Sequence, residues 1–277
     1  FLRDCSDMNI EVLPPDIQKS GSTFTVESPV GDPKPKIRFG LNAVKNVGEG
    51  AVESIIQARA NGQRFASLED FASRVDTRLT NRKVVESLIK AGAFDAFEAL
   101  PAHYLRPRLL ERVEEALSIG AKLKADSHFS SQSLFGETDI KAFTNKPVVT
   151  KETNAEWSLE TLLLSEKEVL GLYLSGHPLS RYSGEMATYT TCTMGQLPES
   201  GVVRVAGHVL SVRRMTTKRG QIMARFMLED LEGEAEVTVF PKLLTPDINS
   251  QLVPGARLVV KGRVESRDFD PNRSGRS

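Results

Sequence analysis

The sequence predicts a multidomain protein of the α plus β class, in which a helical domain precedes a small antiparallel β module. Apolar residues keep helical spacing on both sides of a Gly-x-Gly turn at positions 48–50, the pattern of a helix-hairpin-helix. After Val202 the apolar period becomes two in four successive segments, with room for a helical turn before the last. That layout predicts a five-stranded barrel of the OB type. Residues 268–277 offer no fifth strand, so the barrel either stops short or closes differently.

Size and charge limit the function classes. At 277 residues the chain is long enough for about two domains, each with a core. Lys plus Arg and Asp plus Glu both number 36, so the chain has no overall basic field and any nucleic-acid contact must be local. Aromatic residues make up 6%, which argues against large base-stacking surfaces.

Cysteine spacing and hydropathy limit the expected cellular compartment and ligands. Cys5 and Cys192 match no metal-binding spacing and suit a reducing cytosol, so we expect a cytoplasmic protein with no metal or cofactor of its own. No apolar run approaches the length that spans a bilayer, so we expect no membrane contact. The chain begins at Phe1 rather than Met, which indicates a piece of a longer protein.

The Gly-x-Gly turn is the first candidate DNA site. Glycine has no side chain between the backbone and a ligand, so Gly48 and Gly50 would let amides at a helix N-terminus meet a phosphate oxygen. Such a contact follows the DNA backbone rather than the base sequence. The alternative is an ordinary helical hairpin without a ligand. The candidate contacts are Lys45, Asn46, Val47, Gly48, Glu49, Gly50 and Ala51.

Three further helices are predicted after the hairpin. Ser67 caps the first, and the second covers 80–94 with a glycine near its end. Arg82 and Lys83 begin the second helix in a mildly basic segment, and we add both to the DNA-binding candidates. The third covers 101–124. These helices define a DNA-binding domain over residues 37–124, after a lead-in over 1–36 that contains a strand at 24–27.

The order of these blocks resembles the C-family replicative DNA polymerases of bacteria, the alpha subunits of DNA polymerase III. Segments 9–17, 37–51, 90–95 (KAGAFD) and 170–179 (LGLYLSGHPL) carry the resemblance. It implies a parent enzyme that extends a primer by nucleotidyl transfer with carboxylate-bound Mg²⁺. It also implies that those carboxylates lie in a palm domain upstream of Phe1. We therefore expect no polymerase activity from this chain alone.

A polar segment over residues 125–155 is predicted to be a linker. Within it, Leu134 and Phe135 form an apolar pair that follows Ser131 and Gln132. In the family a short peptide of this kind docks on the ring-shaped sliding clamp, and the resemblance implies that partner here. The glutamine stands one position late, so packing of the apolar pair on its own domain stays the alternative.

Residues 156–198 are predicted to form a helix and a connector. The helix opens at Trp157 and ends near Gly171. Ser175 and His177 follow, but no neighbouring carboxylate in the sequence would orient them for catalysis. We therefore interpret the Gly-His-Pro at 176–178 as a rigid turn and assign no catalytic residue.

The β module occupies residues 199–277, with strands predicted over 203–209, 222–228, 235–239 and 258–264. OB-folds bind single strands through a basic groove and stacking aromatic rings. Phe226 is expected to face the core, which leaves Phe240 as a stacking platform. The alternative is that the module serves only as a protein-docking surface or a spacer. The basic candidates on the first two strands and their turn are Arg213, Arg214, Lys218, Arg219 and Arg225.

Together these features predict a non-catalytic part of a bacterial replicative DNA polymerase. Its expected partners are duplex primer-template DNA, a single-stranded template at the β module, the sliding clamp and other replisome subunits. One alternative is a free-standing adaptor that binds DNA and a partner protein without enzyme activity. A second is a nuclease, which needs a metal-binding cluster of acids. The closest acids are Asp230, Glu232, Glu234 and Glu236, whose alternation on a hairpin is more typical of residues that face solvent.

Overall fold

The computed structural model describes residues 4–5, 8–28, 34–60, 64–130 and 155–265, and for 125–130 it describes only the backbone. The chain divides into two compact units, Phe1–Gly176 and His177–Ser277. We call them the helical unit and the β unit. Each has a buried apolar core of its own.

A three-stranded sheet opens the helical unit. Its strands are β1 (Val12–Leu13), β2 (Thr25–Glu27) and β3 (Lys36–Arg38), in the order β1-β3-β2, with β1 parallel and β2 antiparallel to β3. The strand predicted at 24–27 is therefore confirmed as β2. The guanidinium of Arg38 donates to both carboxylate oxygens of Glu27 over 2.8 and 2.9 Å, which ties β3 to β2.

The first hairpin differs from the prediction on its N-terminal side. A single 3-10 turn, Leu41–Ala43, stands where a helix was expected, and helix α1 (Glu49–Ala60) follows. Gly50 lies inside α1 rather than in the turn. The left-handed position is Asn46, with φ of 69°, and neither glycine takes positive φ. Asparagine tolerates this conformation because its short polar side chain can hydrogen-bond nearby, so the turn does not need glycine for its shape.

The next two helices begin where capping residues predict. Ser67 accepts from the Asp70 amide at the start of α2 (Leu68–Arg74), and Asn81 accepts from the Val84 amide at the start of α3 (Arg82–Lys90). The chain leaves α3 at Gly92, with φ of 85°. A Cβ at this glycine would lie 2.5 Å from a guanidinium nitrogen of Arg106, so both conformation and space require glycine here.

Helix α4 (Ala102–Ser130) is longer than predicted and continues past residue 124 into the segment interpreted as a linker. Pro107 lies within it and has no N–H for the carbonyl of His103. That carbonyl instead accepts from the Trp157 amide over 2.9 Å. Helix α5 (Leu159–Leu170) then ends at a left-handed Gly171, as predicted.

A buried ionic cluster joins α4 and α5 to the segment that follows α3. The Arg106 side chain, 2% exposed, donates to Asp95 over 2.7 Å and to Glu166 over 2.9 Å. Glu166, 1% exposed, also accepts from the Ser175 hydroxyl over 2.6 Å. Burial lowers the pKa of Arg106, but the hydrogen bonds and charges of both acids outweigh it and raise the pKa, so the guanidinium stays charged. Ser175 thus has a carboxylate partner that sequence distance concealed, and its role is structural.

The β unit consists of short helical segments followed by a four-stranded antiparallel sheet. Helix α6 (Ser183–Tyr189) comes between 3-10 turns at Ser180–Tyr182 and Met194–Gln196. The strands are β4 (Ser200–Thr216), β5 (Ile222–Glu229), β6 (Glu234–Val239) and β7 (Arg257–Glu265), in the order β6-β5-β4-β7. All four predicted strands are present.

The fold class is confirmed, with an open sheet in place of a closed barrel. Helix α7 (Pro246–Gln251) lies between β6 and β7, as the OB layout requires. The long strand β4 pairs with β7 through its first half and with β5 through its second. Among the described residues no fifth strand closes the sheet, and residues 268–277 lie outside them.

Candidate nucleic-acid interface

The turn before α1 is fixed by contacts with distant parts of the helical unit. The Lys45 amide donates to the carbonyl of Val169 over 2.8 Å. The Asn46 side-chain amide donates to the Ser87 hydroxyl over 3.0 Å. These bonds hold the turn between α5 and α3, and they give the Asn46 side chain a structural task. The Lys45 side chain remains exposed to solvent.

The start of α1 presents backbone donors to solvent. The Gly48 carbonyl accepts from Ala51 and Val52, which begins the helix. Among the described residues, nothing accepts from the amides of Gly48, Glu49 or Gly50. A Cβ at Gly48 would meet no atom within 4 Å, so the approach to these amides is open. This geometry suits a phosphate oxygen, although the exposed Glu49 carboxylate in the first turn opposes an anion.

Two of the predicted contacts face inward. Val47 is 7% and Ala51 3% exposed, and both belong to the apolar core of the helical unit. Only their backbone atoms can meet a ligand. The hydrophobic spacing that predicts the helix also accounts for these two side chains.

The loop between α2 and α3 lies against the first turns of α1. The Ser54 hydroxyl accepts from the Asp76 amide over 2.7 Å, and a Cβ at Gly50 would lie 3.5 Å from Leu79. This loop exposes Arg78, whose guanidinium has no acidic partner among the described residues. Sequence reasoning missed Arg78, because one arginine in a polar loop carries no motif.

The two cations at the start of α3 differ from each other. Arg82 donates to Glu86 over 2.6 Å and also pairs with Glu114. The hydrogen bond that Arg82 donates to Glu86 raises the pKa of Arg82, and the negative charge of Glu114 raises it further. Arg82 must exchange these partners before it can meet a phosphate. Lys83 is exposed and has no acidic partner among the described residues.

A register shift decides which basic residues of the β unit share a face. The pairing of β4 with β5 shifts between Val209 and Ser211, so the buried phase moves from Val209 to Val212. Arg213 therefore lies on the outer face, directly opposite Arg225. Like charges opposite each other destabilise a sheet, and an anion between them would relieve that cost.

The outer face of the β unit carries methionine rather than aromatic side chains between its arginines. Met215 pairs with Met223, two residues along from the Arg213–Arg225 pair, and Met227 is the next outward residue of β5. Phe226 is 3% exposed and belongs to the core, as predicted, whereas Phe240 is 60% exposed beyond β6. The low aromatic content of the chain agrees with this composition.

Arg214, predicted as a DNA contact, points to the other side of β4. Its guanidinium donates to the side chain of Asn249 over 2.8 Å and to the carbonyl of Leu252 over 3.0 Å. It thereby anchors α7 to the sheet. Lys218 and Arg219 stand at the exposed β4–β5 turn, where a ligand can reach them.

The acids of the second β-hairpin do not form a metal cluster among the described residues. Asp230, 5% exposed, accepts from the amides of Met194, Glu232 and Gly233 over 2.6–2.9 Å and so shapes the turn. Within the described ranges one group of potential metal ligands does lie together: His177, His208 and Glu229, with donor atoms within 4.8 Å of one another. The residues are far apart in the sequence, and their spacing follows no motif.

The remaining predicted site lies outside the described residues. It is the clamp peptide, Ser131, Gln132, Leu134 and Phe135. In the part of the chain that the structure describes, no helix is both long enough and apolar enough to cross a membrane.

Comparison with known proteins defines the class. Residues 9–102 match the family model for a helix-hairpin-helix motif, and residues 203–274 match that for an OB-fold nucleic acid binding domain. The chain thus combines two nucleic-acid-binding domain types in the order that the sequence predicts.

Curated relatives then give the particular protein family. DNA polymerase III subunit alpha of Mycobacterium tuberculosis is 36% identical over 274 residues, and that of Thermus aquaticus is 37% identical over 272. The alignments cover 97% and 96% of this chain but only 22% and 20% of those proteins. The alpha subunit of Vibrio cholerae aligns similarly, at 35% identity. The chain is therefore a homologue of one segment of DNA polymerase III alpha subunits, spanning about a fifth of their length.

Proposed function

We propose that this chain grips the sugar-phosphate backbone of primer-template DNA through its helix-hairpin-helix region, as a non-catalytic part of a replicative DNA polymerase. The observation that carries the proposal is the start of α1, where three consecutive amides have no acceptor among the described residues and Gly48 leaves the approach open. Exposed Lys45 next to these amides adds positive charge. Backbone amides and lysine at a phosphate give affinity without base specificity.

Gly48 allows a sharp test. Its φ is negative and a Cβ would meet nothing within 4 Å, so Gly48→Val should fold normally while it obstructs the amides. We would measure the fluorescence anisotropy of labelled primer-template, duplex and single-stranded DNA over a salt series. Lys45→Ala should lower the salt slope for duplex by about one phosphate contact. Gly48→Val should weaken duplex binding at every salt concentration.

A matched control is Lys19→Ala, which removes an exposed lysine of the same unit outside the proposed interface. We expect its duplex affinity and salt slope to equal those of the parent chain. Duplex binding that survives Gly48→Val, with helix content intact by circular dichroism, would refute the phosphate grip and favour an ordinary hairpin.

A second candidate function is the binding of single-stranded template on the outer face of β4 and β5. The directly opposed Arg213 and Arg225 favour it, since within the described part of the chain Arg225 has a single carboxylate nearby, Glu236 at 3.7 Å. Arg213→Ala should reduce single-strand affinity, while Arg214→Ala, which points away from this face, should not. Equal losses in both variants would argue against a ligand on this face.

The wider assignments rest on the relatives and stay proposals. We propose that the chain belongs to an enzyme that extends primers and that its Ser131–Phe135 peptide binds the sliding clamp. We further propose contacts with other replisome subunits and a cytoplasmic location. The resemblance to replicative polymerases also implies carboxylate-bound Mg²⁺ in the parent enzyme. Among the described residues no group of three or more carboxylates lies together to hold that ion. Primer extension by this chain alone would overturn its non-catalytic assignment.

A further inference from the structure

Three potential metal ligands of the β unit lie together although they come from separate elements. His208 is in β4, Glu229 ends β5, and His177 precedes the 3-10 turn Ser180–Tyr182. One donor atom from each lies within 4.8 Å of the other two, and the described residues contain no other such group of three. None of the proposed DNA contacts uses these side chains.

Two of the ligands are held rigidly by the sheet. His208 and Glu229 stand directly opposite each other on β4 and β5 and are 3% and 6% exposed. The Nε2 atom of His208 lies 3.3 Å from Oε2 of Glu229. Gly207 packs so closely against the Glu229 carbonyl that a Cβ there would lie 2.5 Å away. The backbone on both sides of this pair is therefore fixed.

The third ligand is positioned by a tight turn. The backbone carbonyl of His177 accepts from the Ser180 amide over 3.0 Å. The Nδ1 atom of the His177 ring accepts from the Leu179 amide over 3.1 Å. Its ring meets that of His208 edge to face, with centroids 5.8 Å apart. Nδ1 of His177 thus holds a lone pair. A metal bound to Nδ1 would replace the Leu179 amide as the partner of that atom. A metal bound to Nε2 would require the tautomer that carries its proton on Nδ1.

We propose that His177, His208 and Glu229 bind a divalent transition-metal ion of the zinc class. Two imidazole nitrogens and one carboxylate oxygen suit such an ion, whereas Mg²⁺ and Ca²⁺ prefer all-oxygen ligands. The 3.3 Å between His208 and Glu229 is close to the edge of a tetrahedron with metal–ligand bonds of about 2.0–2.2 Å. Water takes the fourth position. The ion would join the turn at His177 to the sheet and so strengthen the β unit.

The competing hydrogen bonds set the expected affinity. The ion must displace the contact between His208 and Glu229, and either the Leu179 bond or the present tautomer of His177. We therefore expect binding weaker than that of a closed four-ligand structural zinc site. The ion should nevertheless raise the thermal midpoint of the β unit, because it binds only the folded arrangement of the three ligands.

The test is a titration of the full 277-residue chain with Zn²⁺ by calorimetry, and with Co²⁺ as a visible-absorption probe of tetrahedral geometry. We expect one ion per chain. His177→Ala, His208→Ala and Glu229→Gln should each weaken binding at least about ten-fold, since loss of even an outer-shell partner costs that much. The matched control is His103→Ala, which removes a histidine of the helical unit and should leave binding unchanged.

One further readout and one fallback variant complete the test. Zinc X-ray absorption should show two imidazoles and one carboxylate. If the buried His208 or Glu229 variant fails to fold, His177→Ala decides, because its half-buried turn position leaves the sheet intact. The proposal fails if no stoichiometric binding occurs, if His177→Ala binds as tightly as the parent chain, or if His103→Ala loses the ion.

Discussion

The helical unit and the β unit use opposite means to orient their candidate ligand-binding residues. In the helical unit, hydrogen bonds between residues far apart in sequence hold a short turn, as between Lys45 and Val169. In the β unit, strand register orients the side chains, and one bulge turns Arg213 to the outer face. The orientation of a loop site therefore depends on packing against distant residues. The orientation of a strand site depends on the number of residues between a side chain and the nearest bulge.

The largest expected effect is in the helical unit. Arg106→Met should lower its free energy of unfolding by about 3–5 kcal/mol, because Asp95 and Glu166 would lose their buried counter-charge. Urea unfolding followed by Trp157 fluorescence measures this, since the chain's one tryptophan lies in the helical unit.

Lys90→Met provides the control for that experiment. Lys90 pairs with Glu168 at the surface, where an ion pair contributes about 0–1 kcal/mol. Equal destabilisation by the two variants would show that burial does not set the strength of the Arg106 cluster.

A smaller effect is expected at the turn that carries the candidate DNA site. Asn46→Ala should cost about 1–2 kcal/mol, because alanine disfavours the left-handed conformation that Asn46 adopts. Asn46→Gly restores that conformation and loses only the bond to Ser87, so it should cost less. Urea midpoints by Trp157 fluorescence rank the two. If the glycine variant is the less stable, backbone conformation is not what Asn46 supplies.

Sequence patterns predicted most elements of both units. The capping residues Ser67 and Asn81 mark helix starts, and strict alternation marks all four strands of the β unit. Both signals are local, so a single sequence carries them. The first half of the hairpin was predicted wrongly, since Leu41, Val44 and Val47 have helical spacing but only a 3-10 turn forms. Their side chains reach the core from an irregular turn, which spacing cannot distinguish from a helix.

The candidate sites were less predictable, for a physical reason. Alternation continued from Val209 would point Arg213 inward and Arg214 outward, and the bulge reverses both. A bulge inserts one residue without a reliable sequence signature, so the face of each arginine follows only from the register. The convergence of His177 with His208 likewise depends on tertiary contacts.

Hydrogen-exchange measurements on the β unit can separate the roles of the neighbouring Arg213 and Arg214. Arg214→Ala should lower local stability near α7 by about 1 kcal/mol, because its hydrogen bonds to Asn249 and Leu252 are lost. Arg213→Ala should have little effect or a slightly stabilising one, since it relieves repulsion with Arg225. Hydrogen exchange of α7 and β4 amides measures both. Faster exchange in the Arg213 variant would place the bulge elsewhere.

The smallest expected effect is a pH dependence in the first sheet of the helical unit. The hydrogen bond from Arg38 holds the pKa of Glu27 below its ordinary value, with the charge of Arg38 reinforcing it against desolvation. A carboxylate with a lowered folded pKa stabilises above its unfolded pKa of about 4.3, and this contribution is lost as pH falls through the folded pKa. The Glu27 side chain is 28% exposed, so the loss should stay under about 1 kcal/mol. Glu27→Gln should weaken the fall in the free energy of unfolding at acid pH, measured by urea unfolding with Trp157 fluorescence at a series of pH values. If the slope below pH of about 4.3 is unchanged in this variant, the pair with Arg38 adds no stability to the sheet.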